Sequence, residues 1–399
     1  SLPERAAGYG MAGMKTDGNN PLAGYQHACA ARAYAIGEQK PVLIEAMTFR
    51  MRGHEEASGT RYVPPALFEE WGKKDPVGQY EAFLLEANLL TPENVTAIRN
   101  ELKHQIAASI AKGQADAPFI ASTSTELNDI YAPGPAPAAA SGPSSEKRFI
   151  NALSEGLNQA MLRHPELILM GQDIAGYGGA FKITEGFLEQ FGRERVRNTP
   201  LCESAIIGAA LGLSIAGFKS MVEMQFADFI TCGFNQVVNN LAKIHYRWGQ
   251  TADVVIRMPA GGGVGAGPFH SQSNEAWFTH VPGLKVVYPS TPADAKGLLT
   301  AAIADPNPVM YFEHKALYRS ISGNVPDAYY TIEIGKAALV QPGEDISIIT
   351  WGSGVHWALE YARLQPGLSI GILDLRTLQP LDYPAIREAV AATGKVLIL

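Results

Sequence analysis

Glu203 is the first candidate for chemistry, because its carboxyl precedes an apolar segment. Residues 198–203 read NTPLCE, and the stretch 205–217, AIIGAALGLSIAG, is rich in Ala, Gly and Ile. A carboxylate at a helix N-terminus gains from the helix dipole, which is a purely structural interpretation. The functional interpretation is a carboxyl among small apolar residues that exchanges a proton with a bound heterocycle. This segment alone leaves both interpretations open.

A histidine ends a glycine-rich segment further along the chain. Residues 259–272 read PAGGGVGAGPFHSQ, with five glycines in the seven positions 261–267 and His270 after them. The segment matches neither a Walker loop nor a dinucleotide-binding loop. A histidine presented by a glycine-rich loop is suited to proton transfer. A histidine on an ordinary surface loop is the alternative.

A cationic cluster follows an apolar run in the first third of the chain. Arg50, Arg52 and His54 stand close together, with Gly53 between the last two. Guanidinium groups beside a glycine suit an anion such as a diphosphate. Ordinary solvated charges are the alternative interpretation.

A parallel sheet is predicted to position the candidate residues that follow the first third of the chain, Glu203 and His270. Short apolar runs predict strands at 166–170, 219–224, 253–258, 284–288 and 308–312, and helices are predicted at 147–163, 203–216, 227–246 and 292–304. This alternation predicts an α/β fold whose parallel sheet is covered by helices on both faces. Ligands bind at the carboxyl ends of strands in such sheets, and residues 225–229, QFADF, follow one strand directly.

Residues 131–145, YAPGPAPAAASGPSS, predict a semi-extended linker. A long surface loop within one domain is the alternative. Before it, we predict helices at 22–36 and from Thr91 to about Lys112, and a buried strand at 41–47. A further unit is predicted toward the C-terminus, with strands at 346–350 and 368–373 and a helix at 355–363.

Composition narrows the classes of function. The chain has 399 residues and a net charge of −7, without a long Lys/Arg run, which disfavours nucleic-acid binding. No apolar run reaches the roughly 18 residues of a membrane span. The cysteines, Cys29, Cys202 and Cys232, are too few for a disulfide scaffold, so a reducing cytoplasm is expected. Cys202 has no adjacent base in sequence, which disfavours it as a nucleophile.

The two ends of the chain suggest an internal fragment of a longer protein. Residue 1 is Ser instead of Met, and residues 394–399, GKVLIL, read as the entry into a buried strand. We therefore expect sequence on both sides, so targeting signals cannot be read from this chain.

Several motifs together resemble one family. They are Gly171-Gln172-Asp173, NTPLCE, QFADF, HSQS at 270–273, and residues 282–287 and 294–297. In this order they resemble the β subunit of the thiamine-diphosphate-dependent decarboxylating component of 2-oxo acid dehydrogenase complexes. The resemblance implies a thiamine-diphosphate-binding, transketolase-like α/β fold with parallel sheets covered by helices on both faces.

Residues before the linker resemble the C-terminal part of the α subunit of that family. The matching motifs are Gly8-Tyr9-Gly10, Asp17-Gly18-Asn19, Ile44-Glu45-Ala46 and Arg52-Gly53-His54. The resemblance thus implies an α–β fusion. Its expected parts are 1–130, part of the diphosphate-binding α-type domain; 131–145, the linker; 146–325, the β-type pyrimidine-binding domain; and 326–399, the start of a transketolase-like C-terminal domain.

The resemblance implies oxidative decarboxylation of a 2-oxo acid and transfer of the acyl group to a lipoyl arm. NTPLCE, QFADF and HSQSNEA favour branched-chain, 2-oxoisovalerate-type members; pyruvate or acetoin dehydrogenase is the alternative. The implied partners are the lipoyl-bearing acyltransferase, a small 2-oxo acid, and a second copy of the chain in a homodimer. No nucleic acid or membrane partner is expected. A non-catalytic scaffold fragment is an alternative of another class.

The resemblance also implies roles for individual residues. Glu203 matches the glutamate that hydrogen-bonds the aminopyrimidine ring, and Leu201, Gln225 and Phe229 match residues around that ring. His270 matches a histidine of the lipoyl step. His54 matches the α-type histidine near the diphosphate, so the resemblance implies that Arg52 and His54 bind the cofactor and that His54 is also a catalytic residue.

The metal sites carry over only in part. The Gly-Asp-Gly motif and downstream Asn that hold Mg²⁺ in the family are absent here, so the Mg²⁺ ligands are expected upstream of residue 1. Asp17-Gly18-Asn19 matches a later α-subunit segment and is not assigned to metal. Asp305 and Asn307 match positions that bind a monovalent cation, K⁺, in some members.

Overall fold

The structure is a computed structural model that describes residues 1–55 and 57–399. The chain divides into two compact units, Ser1–Phe119 and Ile120–Leu399.

The first unit combines helices with a pair of parallel strands. Its elements are α1 (Leu2–Ala7), β1 (Ala12–Asp17), α2 (Pro21–Glu38), β2 (Val42–Met47), α3 (Pro65–Gly72), α4 (Pro76–Glu86) and α5 (Pro92–Ala115). β1 and β2 pair in parallel, and α2 supplies the long connection that parallel pairing requires. α5 begins where its sequence predicts, because Thr91 and Asn94 form a capping box before the first turn.

The prediction that the strand at 41–47 is buried was wrong. The strand forms, but Ile44 is 39% exposed and Met47 is 40% exposed. Two strands make too small a sheet to bury both of their faces, and although α1 and α2 pack against both strands, most residues of β2 remain partly or largely exposed. The described residues of this unit that are buried are few and small: Ala6, Thr16, Asn19 and Ala31.

The second unit is an α/β structure built in two parts. The elements of its first part are α6 (Thr123–Asn128), β3 (Ser144–Arg148), α7 (Phe149–Arg163), β4 (Leu167–Gly171), α8 (Phe187–Phe191), β5 (Val196–Asn198), α9 (Glu203–Ile215), β6 (Lys219–Glu223), α10 (Ala242–Trp248), β7 (Val254–Ala260), α11 (Ala276–Thr279), β8 (Lys285–Val287), α12 (Pro292–Ala304), β9 (Val309–His314), α13 (Leu317–Ser320) and β10 (Ser322–Pro326). The helix predicted at 227–246 is three segments, a 3₁₀ helix Ala227–Gly233, a π-helical stretch Gln236–Leu241, and α10.

The second part of this unit follows a short connection. Its elements are β11 (Ala338–Gln341), β12 (Ile346–Thr350), α14 (Ser353–Leu364), β13 (Ile370–Asp374), β14 (Thr377–Gln379), α15 (Tyr383–Thr393) and β15 (Val396–Ile398). Four of the strands form a sheet in the order β11-β13-β12-β15, and β14 instead joins the larger sheet of the first part.

The larger sheet has seven strands in the order β14-β8-β9-β7-β6-β4-β5. All neighbours pair in parallel except β14, which runs antiparallel to β8. Successive residues of β4 enter opposite cores: Leu167 and Leu169 lie in one, Ile168 and Met170 in the other. Both faces are therefore covered, which explains why the strand sequences are continuous apolar runs. The predicted α/β architecture is confirmed.

The proline-rich segment carries neither helix nor strand over residues 131–143. It is nevertheless held against the second unit by hydrogen bonds. The Tyr131 hydroxyl donates to the Leu284 carbonyl (3.0 Å), and the Ala138 amide donates to the Thr331 hydroxyl (2.6 Å). The segment is thus an ordered strap on this unit, and β3 begins within its predicted end.

Candidate active site

The candidate residues of the second unit lie at one edge of the seven-stranded sheet. β4, β5, β6 and β7 run parallel, so their carboxyl ends share that edge. Gln172 follows β4, Glu203 lies beyond β5, Gln225 lies beyond β6, and the glycine-rich loop follows β7. This is the edge at which open α/β sheets bind ligands.

Glu203 is the first residue of α9, and it is half-buried. Its Oε1 accepts a hydrogen bond of 3.1 Å from Nε2 of Gln172, whose side chain is buried. The Glu203 carboxylate lines an open cavity of about 620 Å³ together with Ala205, Gly208 and Gln236. The small side chains on α9 leave room beside the carboxylate, and the buried amide fixes the direction in which it points.

Gln225 is linked to the same loop as Glu203. Its Nε2 donates to Oδ2 of Asp173 (3.2 Å), the residue after Gln172. Asp173 has a φ of 60°, so the backbone turns sharply here and directs two neighbouring side chains to two different partners. Leu201, by contrast, is 81% exposed, an apolar side chain open to contact two residues before Glu203.

His270 lies in an aromatic cage. Its ring centroid is 4.6 Å from that of Phe226 and 5.4 Å from that of Phe229, and both contacts are edge-to-face. The two phenylalanines also contact each other, at 5.8 Å. The structure therefore brings together His270 and Phe229, two residues that the sequence assigned to different steps. Phe226 was missed as a site residue, although its place in the QFADF motif marked it.

The glycine-rich loop is closed at its base. The Gly261 amide donates to the Gln272 carbonyl (3.0 Å), and the Gln272 amide donates to Oδ1 of Asp228 (3.3 Å). Gly261 and Gly263 have φ values of 80° and 93°, a conformation that residues with a side chain rarely adopt. Glycine at these two positions thus allows the backbone conformation of the loop that leads to His270.

A buried ionic network lies beneath this edge, and sequence reasoning missed it. Arg257 on β7 donates to both carboxylate oxygens of Glu313 on β9, at 2.7 Å each, and also to Glu223 at the end of β6. The Tyr318 hydroxyl donates to Glu313 (2.5 Å). Burial raises the pKa of the Glu223 carboxyl, although the charge of Arg257 opposes this. The signal in the sequence was a lone arginine within a strand of apolar residues.

Arg52 and His54 lie in the loop after β2, in the first unit, and both are exposed. Phe49 anchors the start of this loop, stacking on Trp71 at 5.9 Å and meeting Phe68 edge-to-face at 5.5 Å. Gly53 packs so closely on the Ser58 carbonyl that an added Cβ would lie 2.3 Å from it. The residues around Gly53 are therefore closely packed, and the side chains of Arg52 and His54 reach solvent on either side of it.

Asp305 and Asn307 lie together after α12, but their oxygens already have protein partners. Asp305 Oδ2 accepts from the Lys285 ammonium (2.5 Å), and Asp305 Oδ1 accepts from Asn307 Nδ2 (2.7 Å). Asn307 Oδ1 accepts from the Ala132 amide (2.8 Å). Because Lys285 supplies the positive charge here, this donor set as arranged does not fit a monovalent cation.

Two further observations concern metal ions. Within residues 1–55 and 57–399, no group of three or more His, Cys, Asp or Glu side chains is arranged to hold one. Asn19, in the Asp-Gly-Asn motif, uses its side chain structurally, donating to the Lys74 carbonyl (2.7 Å) and accepting from the Thr48 hydroxyl (2.6 Å).

Comparison with known proteins identifies the families that the parts of this fold resemble. Residues 1–119 match the family described as dehydrogenase E1 component, residues 145–320 the transketolase pyrimidine-binding domain, and residues 335–399 the transketolase C-terminal domain. A solved structure described as a split-gene transketolase, an inactive β4 tetramer, aligns with a TM-score of 0.52 and 23% identity, covering 64% of this chain and 78% of that one. The fold is transketolase-like, as the sequence predicted.

Curated relatives carry the assignment further. The chain is 49% identical to the β subunit of 2-oxoisovalerate dehydrogenase from Bacillus subtilis (strain 168), covering 63% of this chain and 78% of the relative. It is 43% identical to the mitochondrial β subunit of 2-oxoisovalerate dehydrogenase from Dictyostelium discoideum, covering 64% of this chain and 71% of the relative. It is 42% identical to the β subunit of the pyruvate dehydrogenase E1 component from Bacillus subtilis (strain 168), covering 64% of this chain and 80% of the relative. The chain belongs to the thiamine-diphosphate-dependent 2-oxo acid dehydrogenase family, with α-like and β-like regions in one polypeptide.

The resemblance read from the motifs is thereby confirmed at the level of the family. The relatives are named for different substrates, so the similarity extends to the reaction class and not to one substrate. Among the described residues, no helix has the length and apolarity needed to cross a membrane.

Proposed function

We propose that the chain decarboxylates a branched-chain 2-oxo acid of the 2-oxoisovalerate type and transfers the acyl group to a lipoyl group on an acyltransferase. The observation that carries this proposal is the joint placement of two groups on one sheet edge. Glu203 lines a cavity with its carboxylate oriented by Gln172, and His270 stands in its aromatic cage in the loop after β7, on the same edge of the sheet. The 49% identity to a 2-oxoisovalerate relative supports the choice of substrate.

The residues at this edge suit a flat heterocycle such as the aminopyrimidine of thiamine diphosphate. Glu203 presents a half-buried carboxylate beside glycine and alanine, which leaves space for a ring. Within the described chain Gln172 is its hydrogen-bond partner and takes up Oε1. Glu203 would hold a ring nitrogen and exchange a proton there, while Leu201 and Phe229 would exclude water from the ring.

When bound, thiamine diphosphate supplies the nucleophilic carbon and the electron sink that decarboxylation of a 2-oxo acid requires. Gln225, held by Asp173, would border the ring. Arg52 and His54 would bind diphosphate oxygens, for which guanidinium and imidazole N–H donors are suited. His270 would hold or release a proton at a ring nitrogen during acyl transfer. Mg²⁺ stays a prediction from the family, whereas Asp305 and Asn307 as arranged do not fit the K⁺ that the family also implied.

The proposed partners follow from the same reaction. A lipoyl-bearing acyltransferase would accept the acyl group, and a second copy of the chain would complete the assembly.

The proposal also includes the domain boundaries 1–130, 131–145, 146–325 and 326–399.

The test is a substrate panel on the full-length protein with saturating cofactor. Release of CO₂ from 3-methyl-2-oxobutanoate and pyruvate, and oxidation of acetoin, are measured with an artificial electron acceptor, and acyl transfer is measured with a lipoyl domain. We expect the highest kcat/KM for 3-methyl-2-oxobutanoate and its loss in Glu203→Gln. A higher value for pyruvate or acetoin overturns the substrate assignment. No turnover of any substrate by folded protein favours a non-catalytic scaffold instead.

A further inference from the structure

Lys315 is a buried cation directly behind the glycine-rich loop, with a side chain 3% exposed. It follows β9, and its ammonium donates to the carbonyl of Gly261, the first glycine of the loop, at 2.6 Å. Its backbone amide donates to the Ala260 carbonyl at 3.1 Å. Burying an ammonium is unfavourable unless partners compensate. Lys315 therefore holds the start of the loop by a hydrogen bond from a buried charge. Because burying that charge is unfavourable, we expect this contact to have a function.

The partners of Lys315 belong to the same site. Its Nζ lies 5.5 Å from the ring centroid of Phe226, and the charge of Asp228 stabilises the ammonium. Burial nevertheless lowers the pKa of Lys315 to about 8, the larger of the two effects. The ammonium thus depends on a carbonyl, an aromatic face and one carboxylate, all at the base of the loop.

Asp228 holds the other end of the same loop. It is 6% exposed, and its Oδ1 accepts from the amide of Gln272, whose carbonyl accepts from the Gly261 amide. Its Oδ2 has no hydrogen-bond partner among the residues that the structure describes. Lys315 and Asp228 therefore anchor residues 261 and 272, which bracket His270.

The two anchors also reach the cage of His270. Phe226 lies between Lys315 and His270, since its ring contacts both, and Asp228 lies between Phe226 and Phe229 in the chain. Beyond its base the loop is exposed, and Phe269 next to His270 is 72% exposed. The position of His270 is thus set at the base of the loop and at the two phenylalanine rings.

We propose that Lys315 and Asp228 are positioning residues that hold the loop 261–272 closed at its base and set His270 for acyl transfer. The proposal rests on the proposed function, because it takes the role of His270 from there. A merely stabilising pair would lower the stability of the whole unit. A positioning pair would change the loop and the acyl-transfer step without changing decarboxylation.

The test compares Lys315→Met with wild type and with Lys336→Met, a control at an exposed lysine of the same unit. Hydrogen exchange of the amides at 262–272 is followed by mass spectrometry. The rates of decarboxylation with an artificial acceptor and of acyl transfer to a lipoyl domain are measured in parallel. We expect Lys315→Met to exchange this loop about tenfold faster and to lower kcat for acyl transfer about ten- to a hundredfold. KM for the lipoyl domain and the decarboxylation rate should stay within about twofold.

Unchanged loop exchange in folded Lys315→Met overturns the proposal. Faster exchange with unchanged acyl transfer overturns the positioning role, while decarboxylation still reports separately on the proposed function. If wild type decarboxylates no 2-oxo acid, the proposed function fails, and loop exchange still decides whether Lys315 is an anchor. Should Lys315→Met not fold, Asp228→Asn decides, since the amide keeps an acceptor for Gln272 and loses the charge that faces Lys315. Loop exchange equal to wild type in that variant also overturns the proposal.

Discussion

The carboxylate of Glu203 owes its orientation to one buried amide, that of Gln172, and the cavity at its side stays open. The role of Glu203 in the reaction can therefore be tested separately from its contribution to protein stability, because a half-buried side chain with one partner contributes little to folding. The amide of Gln172 would also hydrogen-bond a glutamine at position 203.

We predict that Glu203→Gln folds normally and loses decarboxylation by on the order of 10²–10⁴, the usual effect of removing one positioned proton-transfer group. Turnover with an artificial electron acceptor measures the loss. Glu189→Gln, an exposed glutamate on α8, is the matched control. Near-normal turnover in Glu203→Gln would rule out the role.

The two candidate histidines have different surroundings, so their substitution should affect different steps. His54 is exposed beside Arg52, whereas His270 is caged by Phe226 and Phe229. We predict that His54→Ala weakens binding of thiamine diphosphate, so excess cofactor restores part of the turnover. His270→Ala should bind cofactor normally and slow acyl transfer to a lipoyl domain more than decarboxylation. Isothermal titration and the two rate assays check this, and the reverse pattern would exchange the two roles.

The pH dependence of acyl transfer should report on Lys315. Its pKa in the folded chain is about 8, against about 10.4 for an unperturbed lysine. The titratable groups facing it are Asp228 and His314, the last residue of β9, whose own pKa is lowered by burial and by the charge of Lys315. Above pH 8 the folded chain loses this proton before the unfolded chain does, so the contribution of Lys315 to stability rises between about pH 8 and 10.4.

We therefore predict opposite trends above pH 8. Acyl transfer should fall as the ammonium that holds Gly261 is lost, while the free energy of unfolding gains from the same deprotonation. The pH–rate profile and urea unfolding of wild type and Lys315→Met measure both trends. A fall in rate of the same size in Lys315→Met would assign the titration to another group.

At the scale of elements, the network around Arg257 joins three neighbouring strands. Glu223 ends β6, Arg257 lies on β7 and Glu313 lies on β9, and all three side chains are almost completely buried. The loop after β4 rests on it, since a Cβ added to Gly179 would lie 3.2 Å from a Glu223 oxygen. The strand ends that carry the candidate site are thereby fixed to one another.

Arg257→Met should destabilise the second unit strongly, because it leaves two buried carboxylates without their counter-charge. Breaking a buried ion pair in this way costs about 3–5 kcal/mol. Urea unfolding measures the loss, and Arg319→Met, at an exposed arginine on α13, is the control. A loss no larger than that of the control would show that the network is not needed for stability.

At the scale of the whole molecule, the segment 203–250 presents large apolar side chains to solvent. Trp248 is 70% exposed, Tyr246 54% and Phe234 37%. Large exposed apolar side chains grouped on one segment are typical of association surfaces. This surface suits the homodimer that the resemblance implied.

We predict that the full-length protein is at least a homodimer, the commonest closed symmetry. Light scattering of the full-length protein measures its mass. Trp248→Glu should shift the mass toward the monomer, whereas Trp357→Glu, at a 58%-exposed tryptophan of α14, should not. A strictly monomeric wild-type mass would contradict the prediction.

The order of elements in the second unit could be predicted from the sequence because local patterns encode it. Strands covered on both faces are continuous apolar runs, so β4, β6, β7 and β9 stood out in the sequence. α12 begins at Pro292 after the capping residue Thr291, as its local residues dictate. The candidate site residues Glu203 and His270 were recognisable because each is the one carboxyl or imidazole group in a segment of small residues. Family motifs then supplied the chemistry.

Only the tertiary structure decided which of these residues meet and which charges are buried. Nothing local shows that Lys315 reaches the carbonyl of Gly261, or that Arg257 faces two carboxylates, since a lone charge in a strand reads like a solvated one. The strand at 41–47 shows the converse: its residues are apolar, but burial depends on what covers the sheet. Local propensity acts over a few residues, whereas burial and charge pairing depend on side chains far apart in the chain, and those are brought together only when the sheet forms.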